Sequence, residues 1–197
     1  MNSYVYALTV FDDGTGPALY AGGGFTTAGG GSANYIAKWN GATWSALGSG
    51  MNTYVYALTV FDDGTGPALY AGGGFTTAGG VSANYIAKWN GATWSALGTG
   101  MNGGVNTLTV FDDGTAPALY AKGRFWTAGG VSANNIAKWD GANWSALGSG
   151  ISGGMFVEPS ALAVFDDGTG SALYAGGMFT TAGGVSANNV SAQQNHC

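Results

Sequence analysis

Eight of the ten acidic residues stand as four pairs, Asp12-Asp13, Asp62-Asp63, Asp112-Asp113 and Asp166-Asp167, and each pair precedes a glycine. Paired carboxylates can do acid–base work or hold a calcium ion. Asp ahead of Gly also bonds its own backbone in a tight turn, and turn formation is the role expected of all four pairs. The only His, His196, and the only Cys, Cys197, are neighbours in a polar tail. A nucleophile and base, or a corner of a metal site, would need an orienting third group and further ligands beside them. One cysteine cannot form an intrachain disulfide, although it can pair between chains. GxGxxG occurs at Gly98-Thr99-Gly100-Met101-Asn102-Gly103 and at Gly148-Ser149-Gly150-Ile151-Ser152-Gly153. Phosphate cradling needs a helix to follow, and the alternation here predicts a strand. Asn143-Trp144-Ser145 and Asn189-Val190-Ser191 fit the N-glycosylation pattern, which bears only on a eukaryotic secreted chain. No catalytic residue, cofactor or metal site is assigned, and no enzymatic activity is expected.

Aromatic side chains offer a different chemistry. Trp39, Trp44 and their later copies suit stacking against sugar rings, one glycan site per repeat. Packing between sheets competes for the same rings. Each buried Trp withdraws about 200 Å² from water, worth about 5 kcal/mol at roughly 25 cal/mol/Å² before entropy. A chain with 38 Gly among 197 residues needs that contribution.

The elements that carry these residues recur. Units begin at residues 1, 51, 101 and 151, and the first two differ only at Ser3/Thr53, Gly31/Val81 and Ser49/Thr99. Residues 1–197 are read as one domain of four repeats, 1–50, 51–100, 101–150 and 151–197. Period-two alternation between glycine-containing turns predicts strands over 5–11, 18–23, 35–39 and 43–47. The turn Asp12-Asp13-Gly14-Thr15-Gly16-Pro17 joins the first two, a loop over 26–34 leads to the third, and Asn40-Gly41 predicts a type I′ hairpin before the fourth. One such meander cannot bury both faces, so neighbouring copies must stack. Twisted antiparallel sheets favour a closed ring over a flat solenoid, because closure removes exposed edges.

ALYAGGGF followed by YIAKWNGATWSALGSGMN resembles the kelch repeat, with a glycine pair closing one strand, an aromatic on the next and a Trp opening the last. The glycine pair reads Lys122-Gly123 in the third copy. FDDGTGPALYAGG followed by FTTAGGVSAN is similar to repeats in large secreted or surface-associated bacterial proteins of planctomycete type. The resemblance implies an all-β, four-bladed β-propeller of four-stranded antiparallel blades, and supplies no chemistry. The last blade is expected to lack its outer strand, because the fourth copy has no equivalent of residues 43–47. Its third strand reads Ser191-Ala192-Gln193 where the first copy reads Ala37-Lys38-Trp39. Asn189, Val190 and Gln193 therefore mark an edge that either meets water or pairs with a second subunit.

Two further departures are candidate contacts. Lys122, Arg124 and Trp126 replace two glycines and a threonine at alternate positions, so a regular strand would place them on one face, as an anion or partner contact or as a solvated edge. The fourth copy inserts four residues in ISGGMFVEPSALAV, and Met155, Phe156 and Val157 would form an apolar bump at one end of the ring.

Composition bounds the partners. A net charge of −5 with five basic residues argues against nucleic acid. Residues 14–37 carry no charge, but Gly, Thr, Ser, Asn and Pro interrupt them and no membrane span is expected. The chain starts inside the first repeat, so any export signal is expected to have been removed or never present. An apolar content of 46% with seven Trp, ten Tyr and nine Phe separates it from disordered linkers. The expectation is a structural or interaction module, extracellular or at the cell surface, forming a homo-oligomer or filament through sheet-edge or ring-face contacts. A carbohydrate-binding propeller with glycan as partner is the alternative.

Overall fold

Alternation over the start of each repeat becomes a strand. In the computed structural model, which describes residues 1–153 and 161–193, Val5–Asp12 pairs antiparallel with Pro17–Gly23, setting Phe11 opposite Ala18 and Asp12 opposite Pro17. Pro17 opens its strand, the position where a missing N–H costs least. Ile36–Trp39 joins the other side of Pro17–Gly23 with Tyr20 opposite Lys38, and Trp44–Ala46 completes the sheet with Trp39 opposite Trp44. The second sheet repeats this order with Val55–Asp62, Pro67–Gly73, Ile86–Trp89 and Trp94–Ala96. The third uses Val105–Asp112, Pro117–Gly123, Ile136–Trp139 and Trp144–Ala146. The fourth has three strands among the described residues, Ala161–Asp166, Ser171–Gly176 and Val190–Gln193. The chain is therefore all-β, a tandem array of antiparallel meanders. No helix among the described residues is long and apolar enough to cross a membrane.

Two turns differ from expectation. A type I′ turn requires positive φ at both central residues, but at Asn40-Gly41 only Gly41 has it, at 97°. Asn40 instead accepts hydrogen bonds on its side-chain oxygen from the N–H groups of Ala42 and Thr43, so the side chain organises a wider loop. The two-glycine turn appears within the loop over 26–34, where Thr27–Ala28 pairs with Gly31–Ser32 across Gly29 (φ 58°) and Gly30 (φ 86°). That short hairpin holds its repeat to the preceding one, Gly79 N–H donating to the Gly50 carbonyl at 2.7 Å, and is fixed within its own repeat by the Asn52 side chain, which bonds Thr76 and Thr77.

The first strands of successive sheets lie side by side, and the core fills the spaces between sheets. Each sheet has two unlike faces. The face turned to the following sheet carries Phe11, Ala18, Tyr20 and Ile36, and against it the second sheet sets Val55, Leu69, Ala71, Trp89 and Trp94. The second and third sheets repeat the arrangement, Phe61, Ala68, Tyr70 and Ile86 meeting Val105, Leu108, Leu119, Trp139 and Trp144.

The glycine pair of the repeat serves this stacking in two ways. A Cβ on Gly22 would lie 2.5 Å from Val55 Cγ1, so the first glycine is a socket for the neighbouring sheet's valine. A Cβ on Gly23 would lie 2.1 Å from the Tyr4 carbonyl oxygen, so the second lets backbone pass. Lys122 replaces the first kind and Gly123 keeps the second, where a Cβ would lie 2.0 Å from the Gly104 oxygen. A neighbour's side chain can change to admit a lysine, whereas a backbone carbonyl cannot.

Candidate interaction surfaces

The paired aspartates divide the work of the turn. Asp12 accepts from the N–H groups of Gly14 and Gly16, both at 2.9 Å. Asp13 accepts the Thr15 hydroxyl and N–H on one oxygen, and the Tyr20 hydroxyl at 2.8 Å and Lys38 Nζ at 2.5 Å on the other. Lys38 also donates to Thr15 and lies 5.8 Å from the Tyr20 ring centroid. The same cluster recurs as Asp63, Thr65, Tyr70 and Lys88, and as Asp113, Thr115, Tyr120 and Lys138. Among the described residues no group of three or more His, Cys, Asp or Glu side chains comes together. The fourth copy has Ala192 where Lys38 stands, opposite Tyr174, and keeps only the Asp167–Thr169 part.

The electrostatics follow from this geometry. Burial pushes the Asp63 carboxyl up, but hydrogen bonds from Lys88, Thr65 and Tyr70 outweigh it and hold the group at about 2. Asp13 and Asp113 are likewise held well below the usual carboxylate range. Burial, and then the facing carboxylate, push Tyr20 and Tyr70 above the usual phenol range. A carboxyl with a lowered folded-state pKa stabilises the fold above its unfolded value near 3.8, and that stabilisation is lost as the pH falls toward 2. Urea denaturation between pH 7 and 2 is expected to show a loss of about 1 kcal/mol per cluster after solvent screening. Replacing Lys88 by Met should remove the share of the second cluster. A stability unchanged from pH 5 to pH 2 would contradict it.

Tryptophans join sheets through their indole N–H groups. Trp94 donates to the Leu47 carbonyl at 3.2 Å and Trp144 to the Leu97 carbonyl at 3.1 Å. Their rings lie over Gly79 and Gly129, close enough that a Cβ on either glycine would touch Cδ1 at 2.8 and 2.7 Å. Trp89 and Trp139 are also buried, and among the described residues their Nε1 groups have no acceptor, a cost that the packing of the rings must exceed. These four rings are inside the array, where no sugar can stack on them. Trp39 and Trp44 of the first sheet are half-buried.

The sequence candidates fall in different places. Lys122, Arg124 and Trp126 do not share a face, because the strand ends at Gly123. Lys122 is fully buried, and burial lowers its ammonium to about 8, while Arg124 and Trp126 are exposed. Met155, Phe156 and Val157 lie outside the described residues. Asn189 adopts a left-handed φ of 68°, Val190 is exposed, and Gln193 pairs with Leu173 at the end of its strand. Tyr35 and Tyr85 hold the same left-handed position at 65° and 66°, where Asn135 and Asn189 fit at less strain.

Sequence reasoning missed two features. The Asp–Tyr–Lys cluster was signalled by period-two placement, which sets Tyr20 and Lys38 on one face, but their pairing depends on register. The other is a group of tyrosines spanning the first two repeats: Tyr6 lies 6.3 Å from Tyr4, 6.4 Å from Tyr54 and 5.7 Å from Tyr56, and Tyr35 lies 5.8 Å from Tyr54. Tyr4, Tyr6 and Tyr54 are exposed. Comparison of the chain with protein-family models, with curated proteins and with solved structures returned no match.

Proposed function

We propose that the chain is a non-enzymatic structural module of four kelch-like blades working outside the cell or at its surface, which self-associates through its incomplete fourth repeat. The observation that carries this reading is the three-stranded fourth sheet and the cavity beside it, about 240 Å³, lined among others by Leu147, Gly150, Ile151, Leu173, Ala182 and Gly183. Leu147 corresponds to Leu47 and Leu97, whose carbonyls take the indole N–H of a following Trp. A Cβ on Gly183 would meet nothing within 4 Å among the described residues, where Gly79 and Gly129 meet Trp94 and Trp144. A Trp-bearing strand from a second copy suits both the edge and the cavity.

Light scattering of the intact chain is expected to give a mass above 19.6 kDa that rises with concentration. A peptide of residues 143–149, which carries the Trp144 strand, is expected to bind the chain with a blue shift of its fluorescence. A single-chain mass at every concentration, with no peptide binding, would sink the reading.

The tyrosine group favours carbohydrate binding as a second reading, with one platform on the first two repeats in place of one site per blade. Retention on a glycan matrix, lost in Tyr6→Ala with Tyr54→Ala, would support it; elution in the void would dismiss it.

A further inference from the structure

Identical residues occupy unlike environments at the start of the array. The segment VYALTVFD occurs at Val5–Asp12 and again at Val55–Asp62. Val55 is 0% exposed because it fills the Gly22 socket, yet Val5 is 41% exposed, Leu8 60% and Val10 64%. Leu19, Trp39 and Trp44, on the same face, are half-buried where Leu69, Trp89 and Trp94 are buried. The first sheet thus presents one complete half of the contact that joins the sheets inside the chain.

The fourth sheet presents the other half. Phe11, Phe61 and Phe111 are covered by the sheet that follows them, but Phe165 is 59% exposed. Val190, in the place of the fully buried Ile36 and Ile86, is 62% exposed. Gly176 stands where Gly22 and Gly72 receive Val55 and Val105, and a Cβ there would meet only Ala161 Cβ, at 3.7 Å. Its socket is open among the described residues.

We infer that copies of this chain join head to tail, the first sheet of one seated on the fourth sheet of the next, with Val5 entering the Gly176 socket as Val55 enters that of Gly22. This rests on the self-association proposed above and places it on the sheet faces, with a polarity, the strand edge being the alternative contact. The interior contacts between sheets one and two, and between two and three, identify what covers each open face, since both are sheets of this repeat set on one another with the same residues. The two surfaces differ, so the contact is heterologous, and it propagates into rings or filaments according to the rotation per copy.

Two variants test it in the full-length chain. Leu8→Arg with Val10→Glu blocks the head, and both side chains are exposed, so the sheet itself is left intact. Phe165→Glu with Gly176→Leu blocks the tail, where there is open space for the added atoms. Circular dichroism confirms that both fold. Each variant alone is expected to sediment as one chain, and an equimolar mixture as a one-to-one dimer of twice that mass, since one supplies a free tail and the other a free head. Self-association that survives in both variants would overturn the head-to-tail contact while leaving association through the strand edge in place. A mixture that stays monomeric would overturn it, and a dimer formed by one variant alone would overturn it in favour of like faces meeting. An intact chain that never exceeds one copy would overturn both readings together.

Discussion

Gly73→Ala is expected to destabilise the chain by about 3–4 kcal/mol, a large share of what a domain has. The methyl would lie 2.1 Å from the Tyr54 carbonyl oxygen and 2.9 Å from Phe75 Cδ1. The ring can shift, but the carbonyl lies one residue before the strand that Gly73 pairs with and also accepts the Gly74 N–H at 2.9 Å. Relief therefore opens the ladder and breaks a hydrogen bond. Gly74→Ala is the control: the nearest atom to its methyl is the Tyr56 hydroxyl at 3.7 Å, and its effect should stay within about 0.5 kcal/mol. Thermal unfolding should separate the two by about 10 °C for a chain of this size. Equal midpoints would show that the carbonyl is free to move, and the close-approach explanation of the second glycine would fail.

Trp94→Ala should cost about 4–5 kcal/mol, combining the cavity left by a buried indole with loss of its hydrogen bond to the Leu47 carbonyl. Trp44→Ala makes the same chemical change in the first sheet, where no preceding sheet covers the ring, and should cost about 1–2 kcal/mol. The surrounding sequences are nearly identical, so the comparison isolates what a neighbouring sheet adds. Urea denaturation at concentrations where the chain is monomeric measures it. Equal costs would mean that the first sheet is covered in solution even in a single chain.

The array of meanders was legible because Gly and Asp punctuate it so regularly. Strand positions agree with the alternation to within about a residue or two at each end, and the Asp pairs serve as turn caps. Turn geometry was less legible: Asn40-Gly41 has the composition of a two-residue hairpin, but the Asn side chain takes over the backbone donors and widens the loop. Lys122 was misplaced on an exposed face because spacing alone carries no information about which sheet lies opposite. That the first glycine of the pair is a socket and the second a passage for backbone likewise became visible only with the neighbouring sheet in position. The open faces could not be read at all, since Val5 and Val55 sit in the same eight-residue string and differ only in what precedes them in space.

The Gly22–Val55 fit gives the array a direction, each unit receiving on one side what it inserts on the other. Duplicating or deleting a fifty-residue segment in the interior would change the number of units and leave the two terminal surfaces as they are. The number of units and the character of the end faces are thus separable, and a ruler could be lengthened without altering its ends.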